Sequence, residues 1–273
     1  MDLVLHYLPW VLAMIAAGLI AGFVAGLLGV GGGIVIVPVL DTLLAALDVD
    51  PSIRMKVAVA SSLGTIVATS WSSARSHRKH DAVDFDLLKS WGPMIFVGVV
   101  IGTALAGVVD GRVLKLVFAV TALVVAANMF LRSNSQKLTD GFPNVPVKLG
   151  LAVLLGAISA MMGIGGGTLG VTILTAVGMD IRRAVGTSSA IGFIIAIPAT
   201  IGYVIAGWNM PGLPPLSLGF VNLIAVAAIV PLSILAAPYG ARMTHTIDRR
   251  YLAYGFCAFL LLTAAKMLMD LYF

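Results

Sequence analysis

Two long apolar stretches of this chain are each broken by a five-residue glycine cluster, Gly29-Val30-Gly31-Gly32-Gly33 and Gly163-Ile164-Gly165-Gly166-Gly167. Each cluster is followed by a short apolar segment, a basic residue and a Ser-Ser pair. The surroundings of these breaks are lipid, because 60% of the chain is hydrophobic, only 11% is charged and the mean hydropathy is +1.05, the composition of a polytopic helical membrane protein. Lipid gives an unpaired backbone N–H nothing to bond, so a helix can break only inside a bundle or against a polar cavity. Helices broken at the same place in two copies point to a transporter with a central site.

Matching apolar runs to the roughly 20 residues that cross a bilayer places ten segments near 8–28, 34–47, 55–74, 87–108, 113–131, 148–163, 168–179, 184–206, 217–240 and 251–271. The second and seventh are short and directly follow a glycine cluster, so each is either a full crossing or half of a hairpin that turns inside the protein. The N-terminal run carries no Lys or Arg over its first ten residues and is expected to be a retained span, not a cleaved signal. Loops on one face hold twelve Lys and Arg residues, including Arg75, Arg78, Arg182 and Arg183, against Arg54, Lys56, Arg112 and Lys115 on the other. The positive-inside rule makes the first face cytoplasmic and puts both termini in the periplasm. The net charge of +5 is mostly this cytoplasmic excess, so no nucleic-acid partner is expected. Trp10, Trp71, Trp91 and Trp208 fall near predicted span ends, where indole rings favour the interface.

The halves match at three anchors: the glycine clusters 134 residues apart (29 to 163), the pairs Ser61-Ser62 and Ser188-Ser189 127 apart (61 to 188), and Asp110-x-x-Val113-Leu114 with Asp248-x-x-Tyr251-Leu252 138 apart (110 to 248). Five segments per half is odd, so the second copy enters the membrane from the opposite side. The expected fold is all-α, with about ten transmembrane segments as two inverted five-segment repeats, 1–131 and 148–273, joined by a cytoplasmic linker, 132–147.

Chemistry narrows further from what is present and missing. All twelve acidic residues are Asp, which removes the paired glutamates of di-metal bundles and most glycosidases. The single cysteine, Cys257, reads as core packing. No nucleophile with a base and no Cys/His ligand set stands out, so neither an enzyme nor a metal or cofactor site is expected. If the clusters open helices near Ile34 and Thr168, then Gly31, Gly32, Gly33, Gly165, Gly166 and Gly167 offer backbone N–H groups at the positive end of a helix dipole, a ready cradle for an anion. A tight turn between packed helices is the bland alternative, and duplication favours the cradle. Ser61, Ser62, Thr65, Thr187, Ser188 and Ser189 could add hydroxyl donors, or could bond back to their own helices. Lys56 and Arg183, also 127 apart (56 to 183), fall at opposite mouths and could guide an anion or simply anchor the interface. Asp41, Asn128 and Lys266 are gating or coupling candidates. A lone carboxylate such as Asp41 is otherwise a wetted group at a helix end, and Lys266 is near enough to the chain end to snorkel.

The sequence resembles the TauE/SafE family of sulfite and organosulfonate exporters, also described as the toluene sulfonate uptake permease family. The likeness lies in G-L-L-G-V-G-G-G-I-V-I-V-P at Gly26 to Pro38, its echo M-M-G-I-G-G-G-T-L-G at Met161 to Gly170, and R-R-A-V-G-T-S-S at Arg182 to Ser189. The first half departs by having Val59-Ala60-Ser61-Ser62 where the second has Gly186-Thr187-Ser188-Ser189. The resemblance implies a multi-pass carrier of the bacterial inner membrane for small sulfur-containing or carboxylate anions. The expected partners are that anion, the bilayer and a second copy of the chain as a homodimer. Rival readings are an anion channel, a carboxylate carrier and a membrane assembly factor. Arg183→Gln is expected to lower anion flux at limiting substrate in proteoliposomes while leaving the melting temperature unchanged; unchanged flux would remove Arg183 from the path.

Overall fold

The computed structural model describes residues 2–28, 32–78, 81–131, 139, 141–243 and 249–272. These residues form ten helices: α1 (Asp2–Leu28), α2 (Gly33–Ala46), α3 (Pro51–Arg78), α4 (Phe85–Val108), α5 (Gly111–Leu131), α6 (Val145–Met162), α7 (Gly167–Ala176), α8 (Ile181–Ala206), α9 (Leu223–Met243) and α10 (Arg249–Tyr272). A small antiparallel hairpin, β1 (Ser217–Leu218) and β2 (Val221–Asn222), precedes α9. The ninth expected segment therefore begins six residues late. Its apolar opening is used in a hairpin whose Asn222 caps the helix that comes next.

Helix starts are set by Asx side chains. Asp50, Asp84, Asp110, Asn144, Asp180 and Asn222 each accept a backbone N–H at 2.8–2.9 Å at the starts of α3, α4, α5, α6, α8 and α9, satisfying donors that a helix leaves open. At Asp50 the hydroxyl and amide of Ser52 also hold the carboxyl below its ordinary range. With Asn144 as cap and Pro146 in the first turn, α6 starts at Val145, three residues before its expected bound. The helices α2 and α7 differ. They open on Gly32 and Gly166, with no side-chain cap among the described residues.

Among the described residues, six helices are long and apolar enough to cross a membrane: α4, α5, α6, α8, α9 and α10. The fourteen residues of α2 and ten of α7 reach only about 21 and 15 Å, well short of a hydrocarbon core of about 30 Å. For α7 the chain direction is fixed by backbone bonds. Thr139 and Gly141, just before α6, donate to Ala176 and Val177 at the end of α7, at 3.4 and 2.9 Å. The pair α6–α7 thus leaves one face, turns at the glycines and returns to the same face.

The centre of the bundle is the crossing of α3 and α8, with α2 and α7 packed on them, while α1 lies on α9, α4 on α6 and α5 on α10. Residues 55–63 of α3 are buried without interruption. Small residues let the outer pairs approach backbone to backbone: a Cβ at Gly22 would run into the Ser233 backbone, one at Gly98 into the Val153 carbonyl, and one at Gly156 into the Ile95 carbonyl. Ser233 Oγ also donates to the Gly18 carbonyl at 3.0 Å. Large apolar side chains such as Leu262, Ile205 and Val124 face outward, as they would toward lipid. Trp91 corrects the aromatic-belt expectation, because it is fully buried and packs against Phe142 with ring centroids 5.4 Å apart. Gly156→Val should cost about 3 kcal/mol or more, since backbone and not side chain must yield. Gly150→Val on the same helix, where a Cβ meets nothing within 4 Å, should stay within about 0.5 kcal/mol. Detergent melts that treat the two alike would refute the close-packed α4–α6 seam.

Candidate functional site

The glycine clusters converge. Gly29, Val30 and Gly31 lie outside the described residues, so the expectation for Gly31 has no structural counterpart. Gly32 and Gly33 are buried at the start of α2, and a Cβ on Gly33 would run into the Gly163 carbonyl oxygen and stand 2.9 Å from Ile164 Cα. In the second cluster Gly163, Gly165 and Gly166 have φ of +71°, +64° and +73°. That backbone suits glycine and strains any residue with a side chain. Gly163 closes α6 by donating to Ser159 O at 3.0 Å, and Gly166 starts α7. Ile66 on α3 and Ile191 and Ile195 on α8 wall this turn. The start of α2 therefore meets the α6–α7 turn at Gly163 and Ile164, and the start of α7 lies a few residues further on in the same apolar interior, where its positive dipole end acts with little screening.

The candidate hydroxyls divide by what they bond. Ser62 Oγ donates to the Gly163 carbonyl at 2.7 Å, tying α3 to the turn of the other half. Ser61 Oγ accepts the Asn222 N–H at 2.9 Å, and Thr187 Oγ1 accepts the Asp84 N–H at 2.9 Å. Asn222 and Asp84 are themselves the caps of α9 and α4, so Ser61 and Thr187 do the same job. Hydrogen bonding thus pairs Ser61 with Thr187, one residue off the Ser-Ser match in sequence. Thr65 donates to Ser62 O at 2.7 Å, and Ser189 donates to Val185 O at 2.9 Å while accepting from Ser73 at 3.0 Å. Ser188 is fully buried and its hydroxyl has no partner among the described residues. Gly167 and Thr168 form the buried first turn of α7.

The two guidance candidates sit at opposite ends of α4, whose 24 residues span about 36 Å. Lys56 is 6% exposed and donates to Gly107 O at 3.0 Å near the C-terminal end, over the Phe220 ring. Arg183 is half exposed and pairs with Asp84 at 2.9 Å at the N-terminal end. Of the coupling candidates, Asp41 is not the wetted carboxylate of the bland alternative. It is 3% exposed and bonds Arg54 at 3.1 Å and Lys115 at 2.8 Å, and Lys115 also reaches Asp270 at 3.4 Å. This network clamps α2 to α3, α5 and α10. Lys266 is exposed and donates to Thr42 Oγ1, and Asn128 is half-buried.

Sequence reasoning missed Lys115, Asp270, Asp84, Asn222 and Ser159. Lys115 counted as a loop cation because it stands near the start of a span, yet it lies inside α5 and is 4% exposed. Ser159 Oγ is buried and, among the described residues, unpartnered like that of Ser188. Its position four residues before the first glycine of the cluster was the available signal.

A family model described as sulfite exporter TauE/SafE matches residues 14–267. A protein of Haemophilus influenzae named probable membrane transporter protein is 34% identical over 259 residues, covering 94% of this chain and 98% of its own length. The probable membrane transporter protein YunE of Bacillus subtilis is 25% identical, covering 87% of this chain and 88% of its own length. A probable membrane transporter protein of Methanocaldococcus jannaschii is also 25% identical, over 88% of each chain. No solved structure matches the chain.

Asp41→Asn should destabilise the protein by about 3 kcal/mol, because it leaves the buried Lys115 ammonium with only the longer contact to Asp270 as a charged partner. Adding Lys115→Met should recover part of the loss. Thermal melts of the single and double variants check this, and an additive double variant would contradict the coupling.

Proposed function

We propose, because this chain belongs to the sulfite exporter TauE/SafE family of membrane transporters, that it carries a small sulfur oxyanion or organosulfonate across the bacterial inner membrane, as an exporter working by alternating access. The observation that carries this reading is the contrast among the described helix starts. Six are closed by Asp or Asn side chains, and the two that open on glycine have no side-chain cap and lie inside the bundle, the start of α2 against the α6–α7 turn from which α7 begins. A carboxylate cap would occupy the place an anionic guest needs, and glycine leaves backbone N–H groups approachable. On this reading Gly32, Gly33, Gly165, Gly166 and Gly167 line the cradle, while Lys56 and Arg183 tend its two mouths.

Alternating access needs halves that can exchange conformations, and the packing supports two inverted repeats. Reading the first half onto the second, α1 on α9 becomes α6 on α4, and α2 on α3 becomes α7 on α8. The contact of Gly22 with Ser233 becomes, through offsets of 134 (22 to 156) and 138 (95 to 233), that of Gly156 with Ile95. The Ser61–Asn222 and Thr187–Asp84 bonds are likewise counterparts. Charge asymmetry supports termini on the periplasmic side.

Proteoliposomes given radiolabelled sulfite, methanesulfonate or acetate, with and without a pH gradient, test the reading. Saturable sulfite flux that methanesulfonate inhibits is expected. Flux that rises linearly with concentration would replace the carrier with a channel, and saturable flux of acetate alone would replace the sulfur anion with a carboxylate.

A further inference from the structure

Most of the candidate hydroxyls are occupied with holding the fold together. Ser61 and Thr187 receive the N–H groups of the residues that cap α9 and α4, Ser62 holds the Gly163 carbonyl, Thr65 bonds Ser62 O, and Ser189 bonds Val185 O and Ser73. Two serines are different. Ser159 on α6 and Ser188 on α8 are fully buried, and neither hydroxyl has a hydrogen-bond partner among the described residues, an arrangement folded interiors seldom keep without a reason.

Both stand beside the first turn of α7. A Cβ at Gly166 would lie 3.8 Å from Ser159 Oγ, and one at Gly170 would lie 2.7 Å from Ser188 Oγ. Gly170 N–H bonds Gly166 O, so the two glycines are one helical turn apart and the hydroxyls flank that turn from two neighbouring helices. The N–H groups ahead of this bond, on Gly167 and Leu169, belong to the first turn of α7 at the positive end of its dipole. Glycine at 166 and 170 keeps methyl groups out of the space between hydroxyl and backbone. Ile191 and Ile195, 3.1 and 2.6 Å from a Cβ at Gly166, give the place an apolar wall, which strengthens charge-assisted hydrogen bonds.

We propose that Ser159 and Ser188 bind the oxygens of the transported anion, each donating its hydroxyl at the N-terminus of α7, and that Ser62, Thr65 and Ser189, whose hydroxyls already donate within the protein, do not touch it. The assignment rests on the anion-carrier reading above. It adds that recognition is concentrated on the α6–α7 turn, and it names a binding residue, Ser159, that lies in neither Ser-Ser pair. The ligand class is a compact oxyanion with at least two free oxygens, because the donors approach from α6 and α8 as well as from the helix end.

The test uses the full chain in proteoliposomes with labelled sulfite, alongside melts of the purified protein in detergent with and without sulfite. Ser159→Ala and Ser188→Ala are each expected to raise the KM for sulfite about tenfold or more. Their melting temperature in anion-free buffer should equal or exceed that of the native protein, because an unbonded buried hydroxyl has been removed. Sulfite should raise the melting temperature of the native protein and not that of either variant. Ser62→Ala, which removes a structural hydrogen bond, should melt lower and keep its KM within twofold. If the native protein shows no saturable flux of sulfite, methanesulfonate or acetate, the carrier reading falls and this assignment with it. If the native protein transports but Ser159→Ala and Ser188→Ala keep their KM within twofold, or if Ser62→Ala raises KM as much as they do, the assignment falls and the carrier reading stands.

Discussion

Lipid offers the backbone no hydrogen-bond partner, and the rest of the structure depends on how this chain meets that condition. Within a helix the condition meets itself, so the exposed risk lies at helix starts. At six of them an Asp or Asn side chain takes up an open N–H. Four of the twelve Asp residues serve in this way, Asp50, Asp84, Asp110 and Asp180, and the short side chain suits the role because it folds back onto its own helix start. Where the chain must break inside the membrane, caps give way to glycines and the breaks are placed against one another.

Burying those breaks demands close approach everywhere around them. Gly18, Gly22, Gly98, Gly102 and Gly156 bring α1 onto α9 and α4 onto α6 at backbone contact, and the small residues of α3 and α8 let those helices cross at the centre. The charged groups are arranged around this core and not within the turn. Asp41, Arg54, Lys115 and Asp270 clamp α2 to its neighbours, and Asp84 joins Arg183 at the far end of α4. Under the proposed repeat the charges are not duplicated, since the positions related to Asp41 and Lys115 by the offsets of 134 and 138 are Thr175 and Ala253.

Much of this was legible in the residues. The glycine clusters announced breaks because several glycines together weaken a helix and permit the positive φ of a turn, and the shortness of the segments after them foretold the short helices α2 and α7. The matched pairs of small residues announced close crossings. What stayed hidden was decided by partners far along the chain. Lys115 looks like an interfacial anchor until Asp41, 74 residues earlier (41 to 115), is brought beside it. Trp91 looks like a belt residue until Phe142 covers it. The Ser-Ser match aligned identical letters, whereas hydrogen bonding aligns Ser61 with Thr187, because a Thr hydroxyl can accept a capping N–H as well as a Ser can. Residues 217–222 read as the opening of a span because Leu218, Phe220 and Val221 are apolar, and only Asn222 marked where the helix would begin.

The bond from Ser233 to the Gly18 carbonyl closes a loop of 215 residues, and it carries a consequence for biogenesis. A ribosome delivering this chain from its N-terminus releases α1 into the bilayer long before α9 exists to cover its glycine face, and the carbonyl of Gly163 reaches Ser62 about a hundred residues after that serine has been inserted. Neither half can therefore finish folding during synthesis. The contacts that complete the first half close only once α9 and the α6–α7 turn have followed it into the membrane, so the native core is assembled late.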